Sequence, residues 1–130
     1  KLPALYNELF KLVGLDAIYV PLLVDDPTKF LDTYSSSDIG GFSVTIPHKE
    51  AVFKYCDEVD PVAKATGAVN FVLRRQSDGK LCGYNTDCYG AISAIEDGLL
   101  GLHNDSFAVS SRLAGKLVVV IGAGGVGKTT

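Results

Sequence analysis

The spacing of apolar residues changes along this chain between helical and strand-like periods, and the order of the two predicts an α/β fold. Apolar residues at helical spacing, together with Asp-Pro and Pro-His helix-start signals, predict helices at residues 3–13, 27–33, 47–56 and 87–99. Short apolar runs predict strands at residues 17–24, 40–46, 68–73, 81–84 and 117–121. The polar stretch 76–80 predicts a hairpin turn ahead of the strand at 81–84.

A polar, irregular stretch at residues 101–112 separates the last predicted helix from the last predicted strand. We therefore expect an α/β domain at residues 1–100, a loop or linker at 101–112, and the start of a nucleotide-binding unit at 113–130. We also expect the chain to be a fragment, because it contains no Met and its last unit holds only one strand and one turn.

The glycine-rich turn after the last predicted strand fits two phosphate-binding patterns at once. Gly122, Gly124 and Gly127 satisfy the dinucleotide fingerprint G-x-G-x-x-G. Gly122 and Gly127, followed by Lys128-Thr129, also satisfy the P-loop pattern G-x-x-x-x-G-K-[ST]. In both, a tight turn brings the backbone close to phosphate, and a helix N-terminus offers it free N–H groups. The turn predicts a nucleotide site, and the residues before it must decide which nucleotide.

The composition narrows the class of partner. The net charge is −3 and no basic run occurs, which argues against a nucleic acid held by bulk electrostatics. The apolar run at 117–123 is far shorter than the roughly 20 residues that span a bilayer. Cys56, Cys82 and Cys88 are odd in number and have no close pairs, so neither a disulfide framework nor a metal site is expected.

Three polar residues are candidates for a ligand site. Lys49 follows the strand at 40–46 and lies in the first turn of a helix, where the helix dipole disfavours a cation. Asp87 stands at an N-cap position. Asn70 is an amide within an apolar strand, and a buried amide needs partners. Taken singly, Lys49 also fits a solvated surface residue, and Asp87 also fits an ordinary N-cap.

The segments around these residues resemble shikimate dehydrogenase. The resemblance is carried by Ser-Val-Thr-Ile-Pro-His-Lys at 43–49, Asp-Pro-Val-Ala-Lys-Ala-Thr-Gly-Ala-Val-Asn at 60–70 and Gly-Tyr-Asn-Thr-Asp at 83–87. The motifs occur in the family's order, ahead of the nucleotide turn. Residues 76–87 and 91–99 look most like the plant form, which is fused behind a 3-dehydroquinate dehydratase domain. The resemblance therefore implies such a fusion, in a soluble plastid protein.

The resemblance also implies an NADP-dependent oxidoreductase of the shikimate pathway, on the route to chorismate and aromatic amino acids. The family reduces the ketone of 3-dehydroshikimate to shikimate. By motif, Lys49 and Asp87 would be the catalytic pair, and Thr45 and Asn70 would join them in binding this small substrate. Residues 1–100 would be the substrate-binding domain, and 113–130 the first strand and glycine turn of a Rossmann-type NADP domain. The residues expected to hold the cofactor pyrophosphate are Gly122, Ala123, Gly124, Gly125, Val126 and Gly127.

Two departures from the family's pattern leave alternatives open. Leu2 stands at the second serine of the family's Ser-x-Ser-Pro motif and cannot donate a hydrogen bond to the substrate carboxylate. A quinate-preferring dehydrogenase and a catalytically dead fragment are therefore alternatives. The residues 128–130 complete the P-loop pattern, so a P-loop NTPase is a third alternative, disfavoured because its P-loop would follow the domain's first strand. The isolated chain is expected to be inactive as an oxidoreductase.

Overall fold

The computed structural model describes residues 1–34, 39–100 and 113–122. Within these ranges the helices are α1 (Leu2–Leu12), α2 (Pro27–Tyr34), α3 (Lys49–Phe53), α4 (Pro61–Thr66) and α5 (Asp87–Leu100). The strands are β1 (Gly41–Ser43), β2 (Glu58–Val59), β3 (Phe71–Arg74) and β4 (Leu81–Tyr84). Lys1–Thr33 and Tyr34–Thr130 form two compact units. In the part of the chain so described, no helix is both long and apolar enough to cross a membrane.

The first unit is built on helix α1, which starts and stops as predicted. Pro3 lies in its first turn, and Gly14 follows it with a left-handed φ of 67°. The prediction of a strand at residues 17–24 is wrong. The side-chain amide of Asn7 donates to the carbonyl of Tyr19 at 3.0 Å and accepts from its N–H at 2.6 Å. A side chain thus satisfies backbone groups that a neighbouring strand would otherwise bind.

Helix α2 begins at the predicted Asp-Asp-Pro signal. The structure selects Asp26 as the capping residue, because its carboxylate accepts from the N–H groups of Thr28 at 2.9 Å and Lys29 at 3.4 Å. These backbone bonds hold the pKa of Asp26 below its usual value. Within α2, the side chain of Leu31 is buried.

The second unit contains a mixed, four-stranded sheet in the order β1-β3-β4-β2, which confirms the α/β fold class. β3 and β4 form the predicted antiparallel hairpin, with Phe71 opposite Tyr84 and Arg74 opposite Leu81. β1 is antiparallel to β3, whereas β2 is parallel to β4. The strand predicted at residues 40–46 is shorter in the structure, although its neighbour Val44 still donates to the carbonyl of Asn70 at 2.7 Å.

The core of this unit lies where α3 and α4 meet the sheet. Its buried members are Val44, Val52, Ala63, Val69 and Val72. A side chain on Gly83 of β4 would force its neighbours to shift, since a Cβ there would lie 2.6 Å from Sγ of Cys56 and 2.8 Å from Cγ2 of Val69. Burial at this contact raises the pKa of the Cys56 thiol to about 11.

The sequence patterns missed two elements, β2 and α4. β2 has only two residues, too few to show any period. The signals of α4 are present in the sequence: the Asp60 carboxylate accepts from the N–H of Ala63 at 2.8 Å, Pro61 opens the helix, and Gly67 ends it with a φ of 65°. These are the same start signals that correctly predicted α2.

The prediction of a buried strand at residues 117–121 is wrong for the chain as the structure has it. Leu117 and Ile121 are 93% and 96% exposed, and no strand among the described residues pairs with this segment. A strand gains hydrogen bonds and burial only within a sheet, so an apolar run does not suffice. The predicted loop at 101–112 and residues 123–130 lie outside the described residues, and the predicted domain boundaries stay a prediction.

Candidate active site

Lys49 lies in the first turn of α3, as predicted, although the helix begins at Lys49 and ends at Phe53 instead of spanning the predicted residues 47–56. The turn before it is closed by the N–H of His48, which donates to the carbonyl of Thr45 at 3.0 Å. The Lys49 carbonyl accepts from the N–H of Val69 at 3.0 Å, which ties α3 to the segment before β3. The side chain of Lys49 is only 13% exposed, so Lys49 is not the solvated surface residue that its local sequence also allowed.

Asp87 is the first residue of α5 rather than the residue before it. Its Oδ2 lies 2.5 Å from Nζ of Lys49, and its Oδ1 accepts from Nδ2 of Asn70 at 2.8 Å. The positive end of the α5 dipole favours a carboxylate at this position. The side chain of Asp87 therefore faces the other predicted site residues, and a simple capping role does not describe it.

Asn70 joins this ion pair to the start of α5. Its Nδ2 donates to Oγ1 of Thr86 at 2.9 Å as well as to Asp87, and its Oδ1 accepts from the N–H of Thr86 at 2.9 Å. Its own N–H donates to the carbonyl of Tyr84 at 3.0 Å. Asn70 directly precedes β3 instead of lying inside a strand. The amide is thus fixed in orientation by bonds to both its oxygen and its nitrogen.

We refer to Lys49, Asn70, Thr86 and Asp87 as the polar cluster. The cluster presents an ammonium, a carboxylate, a carboxamide and a hydroxyl, joined in that order by hydrogen bonds. Such a set can bind hydroxyl groups from both the donor and the acceptor side. A partly buried ammonium can also stabilise negative charge that develops on an oxygen.

Other predicted site residues lie apart from these contacts. Thr45 is exposed and contributes its carbonyl to the turn before α3. Gly122 is exposed and has a φ of 104°. Residues 123–127, the remainder of the predicted cofactor turn, lie outside the described residues. Across residues 1–34, 39–100 and 113–122, no group of three or more His, Cys, Asp or Glu side chains is placed to hold a metal ion.

Two residues escaped prediction: Thr86, a member of the polar cluster, and Asn85, which precedes it. Thr86 exchanges hydrogen bonds with Asn70, and Asn85 is 1% exposed and accepts from the N–H of Asp87 at 3.1 Å. Both belong to the Gly-Tyr-Asn-Thr-Asp motif that drew attention to Asp87. An Asn two residues before a helix start signals an Asx-turn, and that signal was available in the sequence.

The chain is similar to known proteins of one family. The family described as "Shikimate dehydrogenase substrate binding domain" matches residues 1–72. The chain is 62% identical to the bifunctional 3-dehydroquinate dehydratase/shikimate dehydrogenase, chloroplastic, of Arabidopsis thaliana, over 98% of this chain and 22% of that protein. It is 37% identical to the shikimate dehydrogenase (NADP(+)) of Lysinibacillus sphaericus, over 98% of this chain and 43% of that protein.

Solved structures are similar as well. The shikimate 5-dehydrogenase of Thermus thermophilus, solved in complex with NADP(H) and shikimate, is 30% identical with a TM-score of 0.70; the alignment covers 98% of this chain and 44% of that one. A shikimate dehydrogenase solved in complex with NADP+ is 37% identical with a TM-score of 0.76, over 98% of this chain and 40% of that one. The chain spans less than half the length of these relatives.

Proposed function

This chain belongs to the shikimate dehydrogenase substrate-binding domain family, and we propose that it supplies the substrate site of an NADP-dependent enzyme that reduces 3-dehydroshikimate to shikimate. The observation that carries the proposal is the pair formed by Nζ of Lys49 and Oδ2 of Asp87, which lie 2.5 Å apart. The two residues are 38 positions apart in sequence, and both side chains are partly buried. A charged pair that is partly withdrawn from solvent, at the starts of two helices that each follow a strand, is typical of a functional site.

The pair matches the proton requirement of ketone reduction. Reduction leaves negative charge on the carbonyl oxygen, and that oxygen must take up one proton to become a hydroxyl. The Lys49 ammonium stabilises the charge and donates the proton from Nζ, and the same nitrogen accepts a proton in the reverse direction. The Asp87 carboxylate accepts a hydrogen bond from the lysine ammonium and fixes its orientation.

The remaining members of the polar cluster suit a polyhydroxylated ring. The carboxamide of Asn70 and the hydroxyl of Thr86 lie beside the ion pair, and Thr45 is exposed ahead of the turn that carries Lys49. Contacts of this kind discriminate strongly, because a substrate without the matching hydroxyl leaves polar groups unpaired. We therefore assign Thr45, Asn70 and Thr86 to substrate binding, together with the catalytic pair.

The cofactor is proposed to be held by the turn from Gly122 to Gly127. The described residue of that turn fits such a role: Gly122 has a φ of 104°, which disfavours any side chain, and the space around its missing Cβ is open. Backbone N–H groups of a tight glycine turn bind a pyrophosphate. When bound there, NADP supplies the hydride.

The cellular setting follows from the same relatives. The Arabidopsis relative is named as bifunctional and chloroplastic, and the bacterial relative as NADP(+)-dependent. These names support a plastid enzyme of the shikimate pathway that works beside a 3-dehydroquinate dehydratase domain. We propose that the 130-residue chain alone binds substrate without turning it over, because it spans less than half of the bacterial relatives.

Leu2 gives a second candidate, a preference for quinate or a loss of turnover. It is the first residue of α1 and is 48% exposed, and its side chain brings no donor to the position of a family serine.

One experiment tests both candidates: the oxidation of shikimate and of quinate by the purified full-length protein, with NADP+ or NAD+, followed by the absorbance of the reduced cofactor. We expect the highest kcat/KM with shikimate and NADP+. A higher kcat/KM with quinate would establish the quinate preference. No turnover of either acid would establish the loss of turnover and refute both dehydrogenase activities.

A further inference from the structure

We propose that Asn85 is a positioning residue of this site, which fixes the start of α5 and thereby the carboxylate of Asp87. The inference rests on the proposed function, because it concerns how the catalytic pair is held in place. Asn85 contacts the backbone N–H of Asp87, so it acts on the catalytic pair through Asp87. In the described part of the chain, Asn85 is the buried polar residue, with a fully buried side chain and 1% exposure.

The side chain of Asn85 bridges two elements. Its Nδ2 donates to the carbonyl of Ala68 at 3.1 Å and to Oγ1 of Thr66 at 3.2 Å, both at the end of α4. Its Oδ1 accepts from the N–H of Asp87 at 3.1 Å, at the start of α5. The carboxamide is planar, so fixing its donors on one element fixes the position of its acceptor on the other.

The backbone of Asn85 is held by the other end of α4. Its N–H donates to Oδ1 of Asp60 at 3.2 Å, and the same oxygen caps α4 by accepting from the N–H of Ala63 at 2.8 Å. The N–H of Asp60 in turn donates to the carbonyl of Gly83 at 2.9 Å. Both ends of α4 therefore determine where Asn85 lies.

This arrangement leaves the Asp87 carboxylate available for the site. The first N–H groups of a helix lack partners within the helix, and a nearby Asp carboxylate commonly bonds to such groups. Asn85 already satisfies the N–H of Asp87, and the two carboxylate oxygens accept from Lys49 and Asn70. Without the Asn85 oxygen, the carboxylate could turn back toward its own helix and leave the ammonium.

The first test compares Asn85→Ala with Asn85→Ser in the full-length protein. Both variants lose the amide donors to Thr66 and Ala68, so we expect similar thermal midpoints. Only serine retains an oxygen that can accept from the N–H two residues on. We expect kcat per folded molecule to fall about 10-fold to 100-fold in the alanine variant, and clearly less in the serine variant, because small displacements of a catalytic group are costly.

A second test leaves Asn85 in place and removes one of its anchors. Thr66→Val loses the hydroxyl that bonds to Asn85, and its matched control is Thr33→Val. Both hydroxyls also donate within their own helices, Thr66 to the carbonyl of Val62 at 2.9 Å and Thr33 to that of Lys29 at 2.7 Å. We expect a lower kcat and faster hydrogen exchange of the Asp87 N–H in Thr66→Val, and neither change in Thr33→Val. If Asn85→Ala does not fold, the serine variant and Thr66→Val decide the question.

The outcomes separate this inference from the proposed function. A wild-type kcat per folded molecule in the Asn85 variants, with Lys49→Met inactive, would overturn the positioning role alone. A fully active Lys49→Met would instead overturn the proposed catalytic pair. Equal kcat values for the alanine and serine variants, both below wild type, would assign Asn85 a purely structural role and also overturn the inference.

Discussion

The polar cluster contains the predicted catalytic residues, and the segment at residues 113–122 leads into the glycine-rich motif, yet the two regions differ strongly in burial. Around the cluster, Val69, Val72 and Asn85 are almost completely buried, and polar side chains have partners from other elements. In the second segment, Leu117 and Ile121 are more than nine-tenths exposed. Both regions have apolar runs and glycines, so composition does not explain the difference.

The two regions differ in burial because, among the described residues, β3 has strands to pair with and residues 117–121 have none. β3 has β1 on one side and β4 on the other, and the hairpin that joins β3 to β4 is local in sequence. Residues 117–121 have no such partner there. A sequence motif can therefore indicate a function in either region. Among the described residues, only the first region has a sheet that holds the side chains of its motif in place.

The largest expected effect comes from breaking the better-built region at its centre. Lys49→Met in the full-length protein should lower kcat/KM for shikimate about 100-fold to 10,000-fold, because the developing oxyanion loses its proton donor. Steady-state kinetics measure this loss. The matched control is Lys54→Met, at the exposed end of the same helix, which should retain wild-type kinetics. Equal losses in both variants would point to a general effect of charge.

A pair of valine truncations compares the two regions directly. Val72→Ala removes two methyl groups from a fully buried site and should lower the free energy of unfolding by about 2 to 3 kcal/mol. Val119→Ala acts at a side chain that is 75% exposed and should change it by less than about 0.5 kcal/mol. Urea denaturation of the chain, followed by circular dichroism, gives both values. A large effect of Val119→Ala would show that residues 117–121 are buried in solution.

A pair of glycine substitutions sharpens the description of the packed face. Gly83→Ala places a methyl group against Cys56 and Val69 and should destabilise the chain by about 1 to 3 kcal/mol. Gly90 lies within α5, and a Cβ added there would have no atom within 4 Å apart from the backbone of its own helix. Gly90→Ala should therefore stabilise the chain by about 0.5 to 1 kcal/mol. The same denaturation experiment compares them. If Gly83→Ala is tolerated as well as Gly90→Ala, the close approach at β4 is absent in solution.

The smallest effect concerns the charged surface beside the hairpin. Hydrogen bonds from Arg75 hold the pKa values of Glu58 and Asp78 at about 2, and for Glu58 Lys80 adds to the effect. Since these pKa values are lowered, the stabilisation is present above about pH 4 and is lost as the pH falls through about 2. Arg75→Ala should return both pKa values toward about 4, measured by NMR of the carboxyl carbons. Unchanged pKa values would mean that the guanidinium does not contact the carboxylates in solution.

Local signals predicted much of this fold, and their limits are physical. The helix starts at Pro27 and near Lys49, and the hairpin strand at 81–84, follow from residues adjacent in sequence. The pairing of β2 with β4, and the failure of residues 17–24 and 117–121 to form strands, depend on distant partners that no local period records. The predicted site residues Lys49, Asn70 and Asp87 do lie together. Asn85 was missed because an amide in a turn motif gives no sign of burial.

The most direct test of the account is a double-mutant cycle on the two charged residues of the polar cluster. It compares kcat/KM for shikimate in the full-length wild-type protein, Lys49→Met, Asp87→Asn and the double variant. If the two side chains act as one catalytic pair, the double variant should be about as impaired as the worse single variant, because either change already disables the unit. Losses that multiply would show that the two residues act independently, and would contradict the catalytic pair on which the account depends.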